Sequence, residues 1–217
     1  MTGLLDKDLR LILQRKQTIV MFLVIAVIFC FSTGGIFVVP YTLFCIIMIA
    51  VGTISYDEFD NGYSFLMTLP ITKKTYVIEK YILCIVFGIG AWLFSVAVCI
   101  IQYQYKPGTE SLSDLLMQAV IIFPLVLVLM DFMIPVQIKF GAEKSRLALV
   151  VVMGAVGVAV LAVNKIVRKL DLPIDSLAEK ISNVTDVQAL MLIILVATIA
   201  TFVSIFVSLK IMNNKEF

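Results

Sequence analysis

Histidine is absent from the 217 residues, and charged residues make up only 15% of them. The absence of histidine excludes histidine-based acid–base chemistry, Ser-His-Asp triads and histidine metal sites. A soluble domain is usually about one quarter charged and about half apolar, whereas this chain is 61% hydrophobic with a mean hydropathy of +1.08. The scarcity of charge predicts an integral membrane protein, and the net charge of +2 does not point to a nucleic-acid partner.

Several functional motifs are also missing. No G-x-x-x-x-G-K-[ST] sequence occurs, so the chain cannot bind ATP by that route. Neither G-x-S-x-G nor H-E-x-x-H occurs, and no pair of carboxylates lies within an apolar run, which argues against an intramembrane enzyme. We expect no cofactor and no metal. The four cysteines lie inside apolar runs without a CxxC pair, and we expect them to pack as small apolar side chains.

Long apolar runs dominate what is present, and each is close to the ~20 residues that a helix needs to cross a membrane. They cover residues 18–38, 40–55, 76–102, 115–138, 147–164 and 187–209. The alternating pattern of a β-barrel is absent. The first run follows a mixed-charge segment and is too long for the apolar part of a signal peptide. The sequence therefore predicts an all-α, polytopic membrane protein with six transmembrane helices in a single transmembrane domain over 1–217.

Residues 1–17 have the pattern of an amphipathic helix. Apolar side chains recur at i, i+4, i+7 and i+8, namely at Leu5, Leu9, Ile12 and Leu13. The polar residues Lys7, Arg10 and Gln14 fall on the opposite side. This arrangement predicts a helix that lies in the membrane interface. The alternative is a solvated segment that leads into the first span.

The distribution of positive charge predicts the orientation. With the N terminus inside, twelve of the 17 lysines and arginines fall on the cytosolic side. This bias places both termini in the cytosol, together with the polar segment 56–72, and places segment 165–186 outside.

Segment 56–72 is the first long polar interruption, and we call it the coupling segment. Its aromatic and apolar residues recur at helical spacing and are Phe59, Tyr63, Leu66 and Met67. Its start is acidic and carries Asp57, Glu58 and Asp60, which suits the positive end of a helix dipole. Pro70 is expected to end this helix, and Thr72 to cap the next one. An aromatic face of this kind fits a groove on a partner protein, with the acidic residues at its rim.

The third span begins directly after the coupling segment. Lys73 and Lys74 lie where this span enters the membrane, and Glu79 and Lys80 lie just inside it. Charged groups at that depth have to form ion pairs or extend toward the interface. The alternative interpretation of the whole region is an ordinary interfacial loop with anchoring charges.

The order of these elements resembles the permease subunits of type-2 ATP-binding-cassette exporters. The nearest resemblance is to the small bacitracin-resistance-like permeases and to the phenol-soluble-modulin exporter permeases. The residues that carry it are Asp57-Glu58, Asn61-Gly62, Leu69-Pro70-Ile71-Thr72-Lys73 and Lys80-Tyr81. The family commonly has arginine at the site that Lys73 or Lys74 occupies here, so this part of the match is approximate.

The resemblance implies a multi-pass protein of the bacterial cytoplasmic membrane with a coupling helix between spans two and three. It implies two permeases, identical or similar, that bind two ATPase subunits made as separate chains. It further implies export of amphipathic or hydrophobic peptides or similar lipophilic compounds, an activity connected with antimicrobial resistance. The alternative function is a non-transporting membrane sensor, immunity or scaffold protein. Co-purification with a P-loop ATPase would separate the two.

Asp131 is the one carboxylate well inside a predicted span, and Gln137 lies on the same helix. These two polar groups line a substrate pathway or pair with another helix in one interpretation. In the other, Asp131 lies near the cytosolic boundary and hydrogen-bonds to a neighbouring helix. The pattern leaves both interpretations open.

Overall fold

The computed structural model describes residues 2–33, 35–58, 62–105, 111–169 and 186–215. Side chains are described in these ranges except over 142–169 and at a few single positions, which include Met67. Phe59 and Asp60 of the coupling segment, and most of the predicted external segment, therefore lie outside the described residues.

The described residues form seven α-helices and one short 3-10 turn, and they contain no β-strand, which confirms the all-α class. The helices in chain order are α1 (Thr2–Gln14), α2 (Lys16–Thr33), α3 (Val38–Glu58), α4 (Gly62–Thr68), α5 (Lys73–Tyr105), α6 (Leu112–Lys169) and α7 (Asp186–Asn213). The 3-10 turn, Gly35–Phe37, connects α2 to α3.

Four of the described helices are long and apolar enough to cross a membrane. They are Val38–Glu58, Lys73–Tyr105, Leu112–Gly141 and Leu190–Asn213. The helices α1 and α2 meet at a bend of 65°, and this bent pair would count as a fifth span. The chain is therefore a multi-pass membrane protein. The predicted run 147–164 lies within the later part of α6, so a total of six spans stays a prediction.

Helix α6 contains a break at Gly141, where the backbone adopts φ 76° and ψ 179°. A positive φ is costly for any residue with a Cβ atom, so this break requires glycine. Pro124 and Pro135 lie inside α6 without ending it.

Helix α3 is at the centre of the bundle and contacts α1, α2, α4, α5 and α6, while α7 packs on α5 and α6. Apolar side chains of α3, such as Leu43, Ile47 and Ile54, are fully buried. Helix α7 is the least enclosed of the four spanning helices, and its large side chains Phe202 and Phe206 are exposed. Such side chains suit contact with lipid or with another helix.

Candidate functional site

The ends of the helices around the coupling segment follow from local chemistry. Helix α4 ends at Thr68, two residues before Pro70, which has no N–H group for a helical hydrogen bond. The backbone N–H of Thr75 donates to Oγ1 of Thr72 at 3.1 Å, which confirms the predicted cap of α5. With 33 residues, α5 is about 50 Å long and exceeds the ~30 Å of hydrocarbon, so part of it extends beyond that layer.

Five charged side chains meet where α1, α3 and α5 come together, and we call them the ionic cluster. Its members are Lys7 and Asp8 of α1, Asp57 of α3, and Glu79 and Lys80 of α5. Asp8, Glu79 and Lys80 are fully buried. Burying a charge is costly unless it is paired and hydrogen-bonded. The three helices are therefore expected to pack in an arrangement that keeps these charges paired.

Lys80 is the central cation of this cluster. Its ammonium group pairs with the carboxylate of Asp8, lies 2.8 Å from Asp57 Oδ2, and donates to Oγ1 of Thr53 at 3.1 Å. It also lies 5.2 Å from the centre of the Tyr76 ring. Lys80 therefore pairs inside the protein and does not extend toward the interface, which is one of the two outcomes expected from the sequence.

Asp57 accepts more hydrogen bonds than the other carboxylates of the cluster. It pairs with Lys7 and Lys80, and it accepts a hydrogen bond from the Tyr76 hydroxyl at 2.9 Å. The sequence placed Asp57 at the rim of a partner's groove. The structure places it inside the chain, because three donors from α1 and α5 converge on its carboxylate.

Helix α4 buries one side against this cluster. Tyr63 and Leu66 are buried, and the Tyr63 ring meets the Tyr76 ring edge-on at 5.8 Å between centroids. Burial raises the pKa of the Tyr63 hydroxyl to about 12. The sequence predicted that Tyr63 and Leu66 face a partner, but both are buried within the chain, where α4 contacts α3 and Tyr63 meets Tyr76 of α5. A helix of seven residues is marginal alone and gains stability by packing its apolar side.

The outer side of α4 carries different residues from those expected. Phe65 is 69% exposed, and Leu69 just after the helix is also exposed. Glu58 is half-buried, and a Cβ atom added to Gly141 would overlap its carboxylate, so α3 ends directly against the break in α6. Pro70 and Lys74 are exposed at the surface.

The C-terminal end of the chain also contacts this region. Nζ of Lys73 donates to the carbonyl groups of Asn213 at 3.2 Å and Lys215 at 2.8 Å. Nζ of Lys215 donates to the carbonyl of Ile138 at 3.1 Å and lies 4.4 Å from the centre of the Tyr63 ring. Residues from α1, from the coupling segment and from the end of α7 therefore gather at one end of the bundle.

Asp131 and Gln137 form contacts between helices. Oγ1 of Thr201 on α7 donates to Oδ2 of Asp131 at 2.7 Å, and Ser204 donates to the Asp131 carbonyl. The Gln137 amide donates to Oγ of Ser55 on α3. Oδ1 of Asp131 is buried and has no hydrogen-bond partner among the described residues. Asp131 therefore pairs with a neighbouring helix, which both interpretations allow, and Asp131 and Gln137 contact different helices and do not form a shared site.

Asp8 is a buried member of the ionic cluster that the sequence pattern did not single out. Leu4, Asp8 and Ile12 form the buried side of α1, whereas Leu9 and Leu13 are exposed. The predicted apolar side, with Leu5, Leu9, Ile12 and Leu13, shares only Ile12 with this buried side. A signal was available, because Asp8 stands four residues from both Leu4 and Ile12 and so shares their face.

Comparison with known proteins assigns the chain to a family. The sequence matches the model of the ABC-2 family transporter protein over residues 3–213, which is nearly the whole chain. No curated protein and no solved structure is significantly similar to it. The predicted kinship with type-2 ATP-binding-cassette permeases is thereby confirmed at the level of the family. The chain belongs to the ABC-2 family of transporter proteins.

Proposed function

We propose that this chain is the membrane-spanning subunit of an ATP-driven exporter. In this proposal it forms half of a translocation pathway, and a second permease copy forms the other half. ATP is bound and hydrolysed by a separate ATPase chain, since no P-loop sequence occurs here. Family membership supports the permease role. The cargo proposed from the resemblance is an amphipathic or hydrophobic peptide or a similar lipophilic compound, and the low charge of the spans is consistent with it.

The observation that carries this proposal is that α4 has one buried apolar side and one exposed apolar side. Its inner side, with Tyr63 and Leu66, packs on α3 and α5, while its outer side presents Phe65 and Leu69. An exposed aromatic residue on a supported helix suits insertion into a groove of a partner. We propose that Phe65 and Leu69 contact the ATPase. Phe59, Asp60 and Met67 remain predicted members of this docking surface.

The inner side of α4 links this docking surface to the spans. Tyr63 contacts Tyr76 on α5, and Tyr76 donates to Asp57 on α3, which pairs with Lys7 on α1. Closure of the ATPase that displaces α4 would therefore displace the ends of three helices together. We propose that this connection couples ATP-driven motion to the pathway, as a rigid-body shift of helices rather than a local change.

The proposed topology has six spans and both termini in the cytosol of a bacterial cell. Lys7 on α1 contacts Asp57, and Lys73 contacts the carbonyl of Lys215, so both ends of the chain share a side with the coupling segment. Single cysteines placed in 103–113 and 166–185 should react with a membrane-impermeant thiol reagent outside intact cells. Cysteines placed in 57–70 should react only after permeabilisation. Reaction of 57–70 in intact cells would reverse the orientation.

Replacement of Phe65 tests the docking proposal. Loss of an aromatic anchor typically costs about 2 kcal/mol, so Phe65→Ala should bind the ATPase roughly 30-fold more weakly. The measurement is retention of a P-loop ATPase, identified by mass spectrometry, on the affinity-purified chain at matched expression. The mass of the purified particle also reports whether two permeases are present.

The matched control is Tyr105→Ala, because Tyr105 is an 80% exposed aromatic residue at the far end of α5. This control should retain the ATPase at the wild-type level. Wild-type retention by Phe65→Ala would remove the physical support for docking through α4. If even the wild-type chain retains no P-loop ATPase, the sensor, immunity or scaffold function is favoured.

A further inference from the structure

The charges of the ionic cluster do not balance. It contains three carboxylates, on Asp8, Asp57 and Glu79, but only two ammonium groups, on Lys7 and Lys80. All of these side chains are buried except Lys7, which is partly exposed. With every group ionised the cluster would keep one uncompensated negative charge, which is costly away from water.

Lys80 has no hydrogen-bond donor left for Glu79. A lysine ammonium group has three N–H donors, and those of Lys80 have Asp8, Asp57 and Thr53 as partners. The nearest carboxylate oxygen of Glu79 lies 3.9 Å from the Lys80 nitrogen, beyond the distance of a hydrogen bond. Both oxygens of Glu79 are buried without a hydrogen-bond partner among the described residues.

The two aspartates differ from Glu79 because each forms a close ion pair with Lys80, although Oδ1 of Asp8 also has no hydrogen-bond partner among the described residues. Asp57 receives hydrogen bonds or ion pairs from Lys7, Lys80 and Tyr76. Asp8 pairs with Lys80 and lies 3.1 Å from the Lys7 nitrogen. Two negative and two positive charges therefore compensate each other, and Glu79 is the group left over.

We propose that Glu79 is a proton-binding site, which holds one proton while α1 is packed on α3 and α5. The charged and titratable groups around it are Lys7 and Asp8 from α1, Asp57 from α3, and Lys80 and Cys84 from α5. A proton suits this position better than a metal ion, because ammonium groups already occupy the two neighbouring aspartates. Among the described residues, no group of three or more acidic or cysteine side chains is arranged to hold a metal.

Proton binding at Glu79 makes the packing of α1 dependent on pH. If α1 separates, water reaches Glu79, and the carboxyl group can release its proton. The packed state then binds one proton more than the separated state, so a rise in pH favours separation. This behaviour concerns the helices of this chain alone and does not depend on a bound ATPase or on the cargo.

The neutral substitution Glu79→Gln tests the proposal. Glutamine has the shape of a protonated glutamate and cannot ionise, so Glu79→Gln should fold and should keep α1 packed at every pH. The native Cys84 is chosen to report on the separation, because it is buried one turn along α5 from Lys80 and lies near Asp8 of α1. In the full chain, Cys30, Cys45 and Cys99 are replaced by alanine so that Cys84 is the single thiol. The protein is then reconstituted in lipid nanodiscs.

The measurement is the rate at which a thiol reagent modifies Cys84, from about pH 5 to about pH 9, a range that covers proton exchange by exposed and buried glutamates. The ratio of the rate with Glu79 to the rate with Glu79→Gln corrects for the pH dependence that the thiol has in both proteins. We expect a ratio near one at low pH that rises about tenfold or more at high pH, since each pH unit can change the packing equilibrium tenfold. A constant ratio would overturn the proposal.

Two further variants separate Glu79 from other acids. Asp6→Asn changes an exposed acid of α1 and should follow the wild-type pH profile. In infrared spectra, Glu79→Gln should lose intensity from the carbonyl band of protonated carboxyl groups, and Asp131→Asn should keep the part of that band that Glu79→Gln loses. Asp131 is the matched control because it is also a buried acid on a spanning helix. Failure of Glu79→Gln to fold, or a carbonyl band of the same intensity in Glu79→Gln and the wild type, would contradict the proposal.

Discussion

Lys80→Met is expected to lower the free energy of unfolding by about 3–5 kcal/mol, the range for removing one partner of a buried ion pair. Methionine fills a similar volume but leaves Asp8 without its main cation, and leaves Asp57 with only Lys7 and Tyr76. The measurement is unfolding of the purified chain in detergent, followed by loss of helical signal. Lys74→Met is the matched control, because Lys74 is exposed on the same helix and should change stability by no more than about 0.5 kcal/mol.

A double variant shows whether this loss arises from the ion pair. Asp8→Asn removes the negative charge that Lys80→Met leaves uncompensated, so the two changes together should cost less than the sum of the single changes. Simple additivity would mean that Lys80 stabilises the bundle through its alkyl chain and not through Asp8. Equal losses in Lys80→Met and Lys74→Met would contradict the buried cluster itself.

Gly141→Ala should destabilise the chain by about 2 kcal/mol or more, for two separate reasons. Alanine at a positive φ is strained, and its Cβ atom would overlap the carboxylate of Glu58. Thermal unfolding of the purified variant measures the sum of both effects. Adding Glu58→Ala to Gly141→Ala removes the overlap but not the strain, so it should restore part of the loss.

Gly90→Ala serves as the comparison for this prediction. Gly90 lies within α5, and a Cβ atom added there would meet no atom within 4 Å. Alanine is the better helix former by roughly 1 kcal/mol, so this variant should keep or raise stability. A Gly141→Ala chain as stable as Gly90→Ala would mean that the break in α6 does not need its left-handed backbone.

The local features of the fold were readable from the sequence, because they depend on neighbouring residues. Apolar runs of about 20 residues predict spanning helices wherever they occur. Thr72 caps α5 through a hydrogen bond to the backbone three residues later. The sequence also predicted that Lys80 either forms an ion pair or extends toward the interface, because a charged group just inside a span is otherwise costly.

The choice of helix side was not readable, because it depends on elements far away in the sequence. Spacing within 59–67 cannot say whether Tyr63 or Phe65 faces outward, since α3 and α5 decide which side is covered. Asp8 shares a face with Leu4 and Ile12, but the lysine that pairs with it lies 72 residues away in the sequence. The gap between the apolar runs 115–138 and 147–164 predicted an interruption around Gly141, but nothing local showed that Glu58 meets it.

The separation between Asp8 and Lys80 also sets an order of events during biosynthesis. The ribosome makes Lys80 72 residues after Asp8, so α1 cannot acquire its main cationic partner until the N-terminal part of α5 has been synthesised. Asp57 and Lys80 are much closer in the chain and can pair first, as neighbouring helices of a nascent hairpin. Until then α1 can be held by the pair between Lys7 and Asp57, with its exposed Leu9 and Leu13 on lipid. The first helix to be made therefore completes its ion pairs only after α5 has begun to form.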